Sequence, residues 1–263
     1  MSLPPETELH AAGLTVELVG PTLTITLDKA ERRNSQTPRM WHALAAIGDG
    51  LPDEVRAVVV RGAGDCFSAG IDIRLLSPDG LDGEDSVLEL MHGSDQQVLD
   101  AIDGFQRGFT WLSNPGIISI AAVHSYAIGA GFQLALACDL RVVADDVKFC
   151  MKEPALGLVP DLAGTKALVE LVGYSRALEI CATARYVEAD EARDLGLATA
   201  VVPRGELEAT TSDLLEAVFA NNVGAVRETK ALLQAAGSHD LDQQRLAERE
   251  AQLRRFRDLV GGT

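Results

Sequence analysis

The 263-residue sequence predicts an α/β fold with a helical C-terminal region, and three observations carry that prediction. β-branched runs alternate with helical patterns as far as about residue 165. Beyond that point, apolar residues recur almost entirely at helical spacing. Glycine-rich turns follow two of the predicted strands.

The elements follow in order. "LTVELVGPTLTITLD" reads as two alternating strands around a Gly20-Pro21 turn. Thr37-Pro38 starts a helix, with a capping hydroxyl followed by a proline at the first helical position. "VRAVVVRG" is a buried β-branched strand, "IISIAAVHSYAIG" a second and "LRVVADD" a third. Residues 77–95, acidic and rich in glycine, read as a mobile loop with a short helical piece. After about residue 165 come the helical segments "TKALVELVG", "SRALEICATA" and "ADEARDLG", then charged amphipathic stretches from Leu207 to the end. The last of these, "DQQRLAEREAQLRRFRDLV", would dock its apolar residues on its own core or on another subunit.

Composition narrows the function classes. Hydrophobic residues make up 47% of the chain, enough for a core and too many for disorder. A net charge of −16 argues against nucleic-acid binding. No apolar run approaches the length of a membrane span. "MSLPPETELHAAG" lacks the basic start and apolar stretch of a signal peptide, so a cytoplasmic location is expected. Cys66, Cys138, Cys150 and Cys181 are scattered and read as reduced thiols. The five histidines show no metal-ligand spacing, and no metal is expected.

The two glycine-rich turns are "RGAGDCFSAGIDI" and "AIGAGFQ". Neither is a dinucleotide fingerprint, because the required third glycine would fall at Phe67 or Leu134, and no P-loop is present. Glycines after strands let backbone N–H groups face a ligand, and the second turn also opens a helix. Two such turns converging on one carbonyl would form an oxyanion hole. The alternative is a pair of tight turns imposed by packing.

"LDKAERRNSQT", "GAGDCFSAGIDI", "IAAVHSYAIGAGFQLALACDLRVVADDVKF", "EPALGLVPDLAGT" and "ARYVEADEARDLGLATAVVP" occur in one order between about residues 14 and 203. Together they resemble the enoyl-CoA hydratase/isomerase, or crotonase, superfamily. The resemblance implies a crotonase-like spiral of β-β-α units with a helical C-terminal region. Residues 1–203 would form the core with its acyl-CoA pocket, and 204–263 would pack on that core or on a neighbouring subunit. It implies an acyl-CoA thioester substrate, with coenzyme A part of the substrate and no separate cofactor, and a homotrimer or dimer of trimers. The backbone N–H groups of Ile71 and Ala130 would hold the thioester oxygen. Lys29, Arg32, Arg33 and Ala69 would lie along bound CoA, with solvated surface charge an equal reading of each basic residue.

In hydratases of this superfamily the position of Gln133 usually carries glutamate, and a second glutamate matches Glu153. A neutral amide can position water but cannot act as a carboxylate base. Gln133 therefore argues against an ordinary hydratase, and a core amide satisfied by backbone is its alternative reading. Asp161 stands eight residues after Glu153, a spacing similar to that of the dienoyl-CoA isomerases. It reads equally as a cap for a helix beginning near Leu162. The resulting expectation is an enoyl-CoA isomerase with Glu153 as proton shuttle and Asp161 as a second acid. A hydratase that tolerates Gln133, other crotonase enolate chemistry, and a non-catalytic acyl-CoA-binding protein are the rivals.

Overall fold

The computed structural model describes residues 2–77, 80–81, 84 and 92–261. The loop expected over 77–95 lies largely outside these described residues. A short helix, α1 (Glu6–Ala11), leads into strands β1 (Leu14–Val19) and β2 (Thr22–Leu27), an antiparallel hairpin closed with Val19 opposite Thr22. Leu23, Ile25 and Leu27 of β2 are buried and the intervening threonines are half-buried, as the alternation predicts. Helix α2 (Pro38–Asp49) begins at Thr37, whose hydroxyl accepts the Met40 N–H, with Pro38 in the first helical position.

Strand β3 (Ala57–Gly62) lies parallel to β2. Val58 and Val60 enter the main core, while Val59 packs on the opposite face with Ile120, Ala122 and Val142. Burial on both faces explains the unbroken valine run. Helix α3 (Asp95–Thr110) starts with a reciprocal Ser94–Gln97 cap. It packs on α2 with the Trp41 ring 5.0 Å from Phe105 and 6.3 Å from Phe109, centroid to centroid.

The run 117–129, expected as one strand, is two: β4 (Ile118–Val123) and β5 (Tyr126–Ile128). The break is Ser125, at φ +54°, whose N–H donates to Asp146 Oδ1 at 3.0 Å. That bond holds a left-handed residue between two apolar runs, a tertiary cause that periodicity does not report. After β5 come α4 (Ala130–Ala137), β6 (Leu140–Ala144), β7 (Lys148–Cys150), α5 (Gly164–Val172) and α6 (Tyr174–Thr183). The chain is completed by β8 (Val187–Glu188), α7 (Ala189–Asp194), β9 (Ala200–Val202), α8 (Leu207–Phe219), α9 (Val223–Ala236) and α10 (Leu241–Gly261). The part after about residue 165 is nearly all helical, as expected, with β8 and β9 added as strands too short to show a period of two.

A six-stranded sheet has the order β1-β2-β3-β4-β6-β9, parallel from β2 onward, and a three-stranded sheet has the order β5-β7-β8. Helix α8 covers the outer face of the larger sheet through Leu207, Leu214 and Leu215. Helix α10 docks on α9 through a two-bond Arg254–Glu228 pair at 2.7 and 2.8 Å, but Ala251 is its one buried residue among those described. Leu246, Leu253, Phe256 and Val260 remain exposed along it. No helix among the described residues is long and apolar enough to cross a membrane.

Candidate active site

Both glycine-rich turns end strands of different sheets, and they meet. Ser68 bridges to Ala127: its N–H donates to Tyr126 O at 2.9 Å, and its carbonyl accepts the Ile128 N–H at 3.0 Å. Gly70 has φ +84°, and a Cβ on it would stand 2.3 Å from Ile128 O and 3.4 Å from Ala130 N. Only glycine permits that approach. One residue on, Ile71 bridges to Gln36, which donates to Gly70 O at 2.7 Å and accepts the Asp72 N–H at 2.9 Å. With Gly70 O and the Asp72 N–H both turned toward Gln36, the intervening Ile71 N–H points away from Gln36. Ala130 is the first residue of α4, and its N–H is one of the unpaired donors of the helix start. The structure therefore brings the segments bearing the Ile71 and Ala130 amides into backbone contact.

Glu153 follows β7 and opens a short turn over Glu153–Leu156. It is buried, and a Cβ on Gly129 would lie 3.3 Å from its Oε1 and 3.7 Å from its Oε2. The carboxyl group thus stands against the backbone immediately before the Ala130 amide. Oε1 accepts from Gln133 Nε2 at 2.6 Å, whereas Oε2 is buried with no hydrogen-bond partner. Burial pushes the Glu153 carboxyl above its ordinary value; the Gln133 bond opposes that rise and the charge of Asp161 adds to it.

Gln133 is fully buried in α4. Its Oε1 accepts the N–H groups of Leu162 at 2.9 Å and Gly164 at 3.3 Å. Backbone N–H groups only donate, so this orientation of the amide is fixed and its nitrogen must face Glu153. Of the amide expected to position water, the oxygen is occupied by two backbone N–H groups and one of the two nitrogen-borne hydrogens is given to the Glu153 carboxylate.

Asp161 does not cap α5. The residue before that helix is Ala163, at φ +65°, with no side-chain cap, and the helix begins at Gly164 rather than near Leu162. Asp161 is half-buried, and its carbonyl accepts from Gln106 of α3 at 2.7 Å. Burial raises its carboxyl too.

Of the residues expected along bound CoA, Ala69 is tied to the 29–36 segment through Arg33. The Ala69 N–H donates to Arg33 O at 2.9 Å. The aliphatic part of Lys29 lies against Gly13, and burial lowers its ammonium pKa. Arg32 and Arg33 are exposed.

Four supporting residues lie inside the quoted motifs but were given no role from the sequence. Asn34 donates to Ala63 O and Cys66 O, each at 2.8 Å, and accepts the Lys29 N–H. Gln36 donates to Ser68 Oγ at 3.1 Å and accepts from Trp41 Nε1 at 2.8 Å. Ser68 Oγ also accepts the Gly70 N–H at 3.2 Å. Asp72 accepts from Ser35 at 3.1 Å and from Arg74 at 2.5 Å, and the guanidinium holds its carboxyl down at about 2. The polar run "NSQT" ahead of α2 is a signal that could have found Asn34 and Gln36; Ser68 and Asp72 sit in the first glycine-rich turn without one.

Comparisons with known proteins agree on one family. A family model described as enoyl-CoA hydratase/isomerase matches residues 20–258. A structure from Thermobifida fusca YX, named "putative enoyl-CoA hydratase" and solved in complex with CoA, is 48% identical with a TM-score of 0.94, covering 99% of both chains. A second from that organism, in complex with acetoacetyl-CoA, is also 48% identical with a TM-score of 0.94, covering 98% of this chain and 100% of that one. The peroxisomal Delta(3,5)-Delta(2,4)-dienoyl-CoA isomerase of Arabidopsis thaliana is 34% identical over 73% of this chain and 68% of its own. Curated relatives thus include dienoyl-CoA isomerases alongside hydratases. With its mixed α/β body and helical C-terminal region matching these crotonase-fold neighbours, the chain belongs to the enoyl-CoA hydratase/isomerase family.

Proposed function

We propose that the enzyme shifts a double bond in an enoyl- or dienoyl-CoA thioester through an enolate. The thioester oxygen sits between the Ile71 and Ala130 N–H groups, whose donation strengthens as negative charge develops on it. Glu153 takes a proton from C2, the electron pair moves onto the thioester oxygen, and return of the proton to C4 relocates the double bond. In a 3,5-dienoyl substrate the returning proton goes to C6, a longer reach for which Asp161 is the second acid. Lys29 and Arg32 face the CoA phosphates, with Ala69 along the same edge. The CoA and acetoacetyl-CoA complexes of the Thermobifida fusca relatives support a CoA thioester as substrate. The exposed apolar residues of α10 support self-association, for which the resemblance implies trimers or dimers of trimers.

One observation carries this reading: a buried Glu153 oxygen without a partner stands beside the Gly129–Ala130 backbone, while the Gln133 amide is already engaged. A proton shuttle needs one such carboxylate, whereas water addition needs a further group to activate the water. Hydratase names among the relatives favour hydration as the second reading. Assays of purified protein with 3-enoyl-, 3,5-dienoyl- and crotonyl-CoA separate the two. Isomerisation is expected to dominate, and Glu153→Gln to lower it by ~10²–10⁴-fold with folding intact. Brisk crotonyl-CoA hydration without isomerisation, or full activity of Glu153→Gln, overturns the proposal.

A further inference from the structure

Gln133 is the one polar side chain in α4, and its amide has three hydrogen-bond partners. Its oxygen is tied to the Leu162 and Gly164 N–H groups at the entry to α5, and its nitrogen to Glu153 Oε1. Gly164 is pressed against it: a Cβ there would come within 2.7 Å of Gln133 Cγ. The amide can neither flip nor withdraw. We propose that Gln133 is a positioning residue, which holds Glu153 by Oε1 and leaves Oε2 as the single oxygen that meets the substrate.

This rests on Glu153 being the proton shuttle and adds how its carboxyl is aimed. A free carboxylate offers two equivalent oxygens in two orientations. Here a neutral donor occupies one of them, and a neutral donor favours the charged, proton-accepting form without supplying a competing acid. The amide also links the start of α5 to the base, so displacement of residues 162–164 is felt at Glu153. Among the described residues, the other titratable groups that bear on Glu153 are Asp161, Cys150 and Cys181, with Lys152 next to it in the chain.

Two variants test the role. Gln133→Met keeps the bulk and removes the donor. Gln133→Glu keeps an acceptor for the Leu162 and Gly164 amides, so its fold is supported, but sets a second carboxyl against Glu153. For Gln133→Met, kcat is expected to fall about tenfold or more while KM moves less than about threefold. The acid limb of its pH profile should rise by about one to two pH units, the size of one lost hydrogen bond to a charged group. For Gln133→Glu the limb should rise further and spread into two steps, because the pair shares a proton. Carbon-13 NMR titration of the Glu153 carboxyl in wild type and variants reads the same shifts without turnover. If Gln133→Met does not fold, Gln133→Glu decides alone. An unmoved Glu153 titration with kcat within about twofold of wild type overturns the proposal. A shifted titration with no isomerase activity in the wild type instead overturns the reaction assigned above and leaves the Gln133 contact standing.

Discussion

Gly129 has φ +53° and ψ −120°, a conformation that side-chain-bearing residues rarely adopt, and it lies between β5 and the first amide of α4. Gly129→Ala perturbs this point with one methyl group. Its backbone cost is about 1–3 kcal/mol, the range for a residue forced into a sparsely populated region. With an unfolding entropy of about 2.1 cal/mol/K per residue, that predicts a fall in Tm of about 2–5 °C for a chain of this length. The new Cβ would also stand 3.3 Å from Glu153 Oε1 and 3.7 Å from Oε2, so either the carboxyl group or the Ala130 amide must give way. Loss of one such donor to a developing oxyanion costs roughly 10²–10³ in kcat. The assays are a thermal melt and steady-state isomerisation of 3-enoyl-CoA by the same preparation. The expected result is a modest fall in Tm with a disproportionate fall in kcat. A variant with unchanged Tm, or with kcat within about twofold of wild type, refutes the argument that Gly129 sets the spacing between amide and carboxylate.

Two further outcomes are expected. Asp72 is held at about 2 by Arg74, so the stability of its pairing is complete above the ordinary carboxylate pKa and is lost as pH falls through about 2. Relative to Asp72→Asn, urea unfolding should show wild type more stable by about 1–2 kcal/mol at pH 7, after allowance for the partly exposed Arg74, and the gap should close in acid; a gap independent of pH contradicts this. Lys29→Met, which keeps the stem that lies against Gly13, and Arg32→Ala should raise KM several-fold with kcat unchanged, and less so in high salt; an effect confined to kcat argues against a role at the CoA phosphates.

Local chemistry made much of the fold legible. Thr37-Pro38 started its helix, β2 alternated as patterned, and the valine run of β3 lies between two layers. The misreadings have tertiary causes. The Ser125 kink depends on Asp146, twenty-one residues away, and β8 and β9 are stabilised by neighbours rather than by a pattern of their own. At the site, the two glycine turns were visible but their meeting was not, because contact between Gly70 and Ile128 is a property of packing. Glu153 and Asp161 were singled out as candidates through ordered motifs. The cap read for Asp161 failed because α5 starts three residues later, and the occupied valences of Gln133 were hidden because its partners at 162 and 164 contribute only backbone.

The break at Ser125 has a further effect. By sending one stretch of chain into two sheets, it roots the Ala130 amide in the small sheet, while the Ile71 amide belongs to a loop of the large one. The width of the gap between them is therefore decided by the seam that fastens Ser68 to Ala127. A slip along that seam would leave each sheet whole and well ordered, yet widen the space between the two amides.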